Sequence, residues 1–80
     1  MVEKSVVVKN EVDTSCAAFF VQTASKFKSN VYLEVDEKRV NAKSIMGTIA
    51  LGVQKGVLAK ISAEGEDEAE AVEAVAKVLG

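Results

Sequence analysis

Two stretches of this chain alternate strictly in polarity, and no other feature restricts its fold as much. From Leu58 to Glu64, the residues Ala59, Ile61 and Ala63 interleave with Leu58, Lys60, Ser62 and Glu64. Between Val31 and Val35, Val31, Leu33 and Val35 interleave with Tyr32 and Glu34. Successive side chains of a strand point to opposite faces, so each stretch predicts a strand with one apolar and one wet face. A sheet built from such strands takes its cover on one side only.

The remaining segments supply that cover. Val2 to Val8 is rich in valine and free of breakers, which predicts a further strand whose face is set by Val6 and Val8. Asn10 to Ser15 is turn-prone, and Asp13, Thr14 and Ser15 are three successive good helix caps. Ala17, Phe20, Val21, Ala24 and Phe27 then recur at helical spacing, giving a helix from about 16 to 27 that ends at Ser29-Asn30. Asp36-Glu37-Lys38 reads as a tight polar turn, with Arg39-Val40-Asn41 returning as a short strand. Ser44 to Leu51 is a short helix, loosened by Gly47 and closed by Gly52, and Leu51 is expected in the core. Gly65-Glu66-Asp67-Glu68 opens a last helix with acids at its positive end, and Val72, Val75, Ala76 and Leu79 form its buried stripe. The order is βαββαβα. It predicts an α+β fold, an antiparallel sheet with helices on one face, in a single domain over residues 1–80.

Composition excludes several classes of function. Eighty residues build a core too small for a deep substrate cavity. No stretch approaches the ~18 apolar residues that span a bilayer, so no membrane role is expected. The start, Met1-Val2-Glu3-Lys4, lacks the basic-then-apolar order of a signal peptide, and the lone Cys16 fits a reducing cytoplasm. Residues 1–60 hold nine Lys or Arg against six Asp or Glu, while residues 61–80 hold one against six. The bases are scattered and Trp is absent, so nothing suggests direct nucleic-acid binding. Histidine is missing altogether. That removes the commonest general base and metal ligand, and with them any zinc site, Cys/His pair or Ser/His/Asp triad. The expectation is a protein that is not an enzyme and holds no cofactor or metal.

The run Val40-Asn41-Ala42-Lys43-Ser44-Ile45-Met46-Gly47 places a serine where the short helix begins, followed by adjacent Ile and Met. A hydroxyl there serves as a cap, and a helix N-terminus is also a favourable place for a phosphate. Adjacent Ile45 and Met46 point about 100° apart on a helix, so at least one of them should be exposed.

Together with Phe20-Val21-Gln22-Thr23-Ala24-Ser25-Lys26-Phe27 and Leu51-Gly52-Val53, this run resembles the HPr family, the small carriers of the bacterial sugar phosphotransferase system. The match spans nearly the whole chain, with a last helix shorter than usual. It implies an HPr-like open-faced β-sandwich of four antiparallel strands and three helices. The family's other signature, a Gly-[Ile/Leu]-His-Ala-Arg-Pro-Ala motif, aligns with Glu11 to Ala17 and has been lost. The carrier histidine is Asp13, the phosphate-binding arginine is Ser15 and the proline is Cys16. Asp is able to form an acyl phosphate but lacks imidazole's neutral nitrogen and the neighbouring guanidinium.

The serine motif is intact. In kind, the chain is similar to the catabolite repression branch of the family (Crh), which also lacks the carrier histidine and keeps the serine. By that resemblance Ser44 is the substrate of HPr kinase/phosphorylase, and the product is a corepressor for a catabolite control protein A-type repressor. Ile45, Met46 and Ile49 match the family's apolar docking patch, with Ala18 and Gln22 at its flank. That branch keeps an arginine at the position of Ser15. Two other readings stay open. One is a protein that binds enzyme I-like partners, as a competitor or through Asp13. The other is a thiol-based sensor using Cys16, whose position in the first turn of a helix is expected to lower its pKa.

Overall fold

Alternating polarity places its two strands side by side. The computed structural model describes residues 1–80, and in it seven elements follow one another: β1 (Val2–Val7), α1 (Thr14–Ser25), β2 (Asn30–Val35), β3 (Lys38–Asn41), α2 (Ile45–Leu51), β4 (Leu58–Glu64) and α3 (Glu68–Leu79). The strands form one antiparallel sheet in the order β1-β4-β2-β3. On its inner face Leu33 pairs with Ile61 and Val31 with Ala63, all four fully buried. On its outer face Lys60 lies between Ser5 and Glu34 and reaches Glu3 at 3.2 Å. Arg39 stacks 4.0 Å over the Tyr32 ring on the neighbouring strands, a contact worth about 0.5–1 kcal/mol at an exposed site. Ser62 on this face is nevertheless buried, since Glu3 and Tyr32 flank it in register.

Three helices cover the inner face. Phe20 and Ala24 of α1, and Val72, Val75 and Leu79 of α3, join the strand residues in one core. This is the four-stranded, three-helix sandwich implied by the resemblance. No helix is long and apolar enough to cross a membrane.

The structure corrects three boundaries and one burial. Helix α1 stops at Ser25, so Phe27 lies past its end, and Lys26 and Phe27 donate their N–H groups to Thr23 and Ala24 at 3.3 Å as the last turn tightens. Residues Ser29-Asn30 therefore do not end the helix; Ser29 is buried and Asn30 begins β2. Lys38 belongs to β3, because Asp36 and Glu37, with φ of 50° and 68°, complete the turn by themselves. Leu51, expected in the core, is only half-buried, packed against the core at the end of α2.

The cause of the first two corrections lies far along the chain. The Asp67 carboxylate accepts from the backbone N–H groups of Lys28 and Ser29, both at 3.0 Å, and from the Ser29 hydroxyl. These bonds draw the segment after α1 against the start of α3. Asp67 is thereby engaged and makes no side-chain capping bond to α3, whose first turn relies on Glu68 and Glu70 for its favourable dipole interaction. Gly65, at φ 151°, sits so close to Ser29 that a Cβ would meet its Cα at 2.7 Å, so this turn admits only glycine.

Candidate functional site

Helix α2 is short, and its position is set from both ends. The Asn41 side chain accepts from Lys43 N–H at 2.8 Å, and Ser44 N–H donates to Asn41 O at 3.0 Å, turning the chain out of β3. Ser44 is the N-cap: its backbone is extended (φ −102°, ψ 115°) and its Oγ accepts from Gly47 N–H at 3.1 Å. Gly52 closes the helix in the left-handed conformation, at φ 67°. Thr48, fully buried, donates its hydroxyl to Ser44 O at 2.9 Å and roots the inner side.

Fixing Thr48 inward leaves Ile45, Met46 and Ile49 facing outward. Met46 is 79% exposed, Ile49 50% and Ile45 39%, so both members of the Ile45-Met46 pair face solvent and not just one. Ser44 is exposed beside them. Helix α1 packs directly against α2 and carries Ala18, half-buried, and Gln22, exposed. Lys43 braces this arrangement: its Nζ donates to Phe27 O at 2.9 Å, just past the end of α1.

The altered motif lies at the other end of α1. Asp13 is the N-cap, with Oδ1 accepting from Cys16 N–H at 2.9 Å, while Ser15 is exposed. Cys16 is half-buried, and its thiol pKa is raised, first by burial and then by the Asp13 charge. This direction is opposite to the lowering expected from the helix dipole. Desolvation and a neighbouring carboxylate both disfavour the thiolate.

Two surface features were not singled out from the sequence. Phe19 on α1 is 57% exposed. The adjacency argument applied to Ile45 and Met46 would have found it, because Phe19 and Phe20 also point about 100° apart and Phe20 is wholly buried. An open cleft of about 460 Å³ lies between Glu11-Val12 and Gly52-Val53-Gln54-Lys55. Its lining brings residues from before α1 beside residues from after α2, a proximity that only tertiary structure creates. No group of three or more His, Cys, Asp or Glu side chains is placed to hold a metal ion.

Comparison with known proteins agrees with the fold. A family model described as "PTS HPr component phosphorylation site" matches residues 2–80. The HPr-like protein Crh of Bacillus subtilis (strain 168) is 49% identical over 78 residues, covering 95% of this chain and 92% of the relative. Among solved structures, HPr-C-His from Thermoanaerobacter tengcongensis superposes with a TM-score of 0.93 at 49% identity, covering 99% of this chain and 91% of the other. The phosphocarrier protein HPr from Bacillus anthracis str. Ames gives a TM-score of 0.94 at 42% identity, covering 99% and 96%.

Proposed function

Because the chain belongs to the HPr family and is Crh-like within it, we propose that it is a regulatory adaptor of carbon catabolite control and not a phosphoryl relay. One contrast carries this reading: the motif at α1 has lost its nucleophile, while the motif at α2 presents an exposed hydroxyl beside an exposed apolar patch. With no histidine in the chain, no imidazole is present to accept phosphate from charged enzyme I. Asp13 occupies that place and caps α1 with its carboxylate.

In this reading HPr kinase/phosphorylase transfers the γ-phosphoryl group of ATP to Ser44. The Oγ–P bond forms as the bond from the γ-phosphorus to its bridging oxygen breaks, ADP leaves, and the hydroxyl proton passes to a base of the kinase. The product places a phosphate, nearly a dianion at neutral pH, next to Met46, Ile49 and Ile45. A catabolite control protein A-type repressor then docks on that patch, with Ala18 and Gln22 of α1 at its edge. Apolar contact supplies area and the phosphate supplies orientation and specificity. The protein acts in the cytoplasm, catalyses no reaction itself and needs no cofactor.

The test is incubation with HPr kinase/phosphorylase and ATP, followed by intact mass measurement. The expected result is a gain of ~80 Da that is absent in Ser44→Ala. No gain, under conditions that modify an ordinary HPr, removes the proposal.

The rival reading, binding of enzyme I through an acyl phosphate on Asp13, is weaker. It requires the carboxylate to leave its cap, and Ser15 offers no guanidinium to hold the added charge. A raised pKa at Cys16 likewise counts against a reactive thiol.

A further inference from the structure

We infer that Gly47 is a specificity-determining residue for the modification of Ser44: its missing side chain leaves the space that a phosphoryl group on the Ser44 hydroxyl requires. This rests on the reading that Ser44 is modified.

Glycine at this position has no conformational reason. The positive-φ glycines of the chain are Gly52, Gly56 and Gly65, and Gly47 is not among them. Inside a helix glycine is less favourable than alanine. It is also three residues after the cap, where Glu or Gln would complete a capping box. Helix stability alone therefore argues for almost any other residue.

Local geometry supplies the reason that stability does not. A Cβ at Gly47 would stand 3.3 Å from Ser44 Oγ, 3.4 Å from Val40 Cβ and 3.5 Å from Ser44 Cβ. The bare hydroxyl tolerates such a neighbour by shifting a few tenths of an ångström. A phosphorylated oxygen has no such freedom, because it carries three more oxygens. It also starts from a position held over this residue by the 3.1 Å bond from Gly47 N–H. The same methyl group would crowd the attack of Oγ on the γ-phosphorus of ATP, in which the Oγ–P bond forms while ADP departs and the proton goes to the kinase. A carboxylate at this position would add repulsion to crowding. Gly47 acts through the hydroxyl it faces and is a positioning residue.

The test compares the full chain with Gly47→Ala and with Val40→Gly/Gly47→Ala as substrates of HPr kinase/phosphorylase and ATP, followed by intact mass over time. Circular dichroism and thermal unfolding monitor the fold. The expected result is a kcat/KM reduced roughly tenfold or more in Gly47→Ala, carried mainly by kcat, with the melting temperature unchanged or raised. Replacing Val40 by glycine removes the Cβ that stands 3.4 Å away but leaves the contact to Oγ, so the double variant stays slow. Equal rates for wild type and Gly47→Ala overturn this inference and leave the Ser44 reading standing. Restoration of the rate in the double variant also overturns it, by showing a packing defect. An unmodified wild type removes both readings together.

Discussion

At the scale of single residues, Asp67 shows most directly how one side chain sets local structure. Three hydrogen bonds from Lys28 and Ser29 favour its charged form and pull its pKa down from 3.8 to about 2, with the Ser29 hydroxyl the largest contributor. A carboxyl group whose pKa is depressed by folding contributes stability that is fully present above its unfolded value. That contribution is lost as pH falls through the folded one. The tie is therefore expected to hold at neutral pH and to weaken between about pH 4 and pH 2. Urea midpoints measured across that window should fall more steeply for the wild type than for Asp67→Asn. A carboxyl titration followed by NMR would locate the midpoint directly. Cys16 is the converse case, where the environment opposes the charge. Its behaviour was hidden in the sequence because a helix's first turn is visible there and the burial of a thiol is not.

At the scale of elements, the β2–β3 hairpin carries a visible local conflict. Its two-residue turn needs left-handed backbone at both positions, and Asp36 and Glu37 adopt φ of 50° and 68°. Glutamate is a poor choice there, since its Cβ crowds the following carbonyl. Glu37→Gly is expected to raise stability by about 1 kcal/mol, read as a higher urea midpoint at unchanged slope. A lower midpoint would show that Glu37 makes a compensating contact.

The elements also show what sequence reveals and what it leaves out. Strands β2 and β4 were legible because a period of two, with one side wet, admits few alternatives. Helix α2 was legible from its cap and its closing glycine, and the exposure of its Ile-Met pair followed from helix geometry. The end of α1 was not legible, because the group that stops it, Asp67, lies 38 residues beyond Ser29. Half-burial of Leu51 escaped for a similar reason: an apolar residue at a helix end faces inward only as far as its neighbours leave room.

At the scale of the whole molecule, an 80-residue domain buries little and depends on what it does bury. Leu33 and Ile61 face one another across the two central strands, beneath helices α1 and α3, and neither is exposed. Leu33→Ala is expected to cost about 3 kcal/mol through lost transfer energy and the cavity left behind. Total stability at this size is only about 4–12 kcal/mol, so chemical unfolding should show a large fall in midpoint. A change below about 1 kcal/mol would mean that the core collapses around the gap.

Helix α1 is moored on both sides, but not equally close to its ends. Lys43 from before α2 and Asp67 from before α3 both reach the short segment behind it, by way of Phe27, Lys28 and Ser29. In front of it, Lys9 N–H donates to Leu79 O at 2.8 Å and the Asn10 side chain to Val78 O at 3.3 Å, after which residues 11–16 rely on the Asp13 cap and on packing, with no side-chain hydrogen bond reaching them from elsewhere in the chain. Of the seven residues aligned with the family's carrier motif, Ala17 is fully buried and Val12 packs against the core, while Asp13 and Ser15 are exposed, so the latter two positions can differ without disturbing what the scaffold buries.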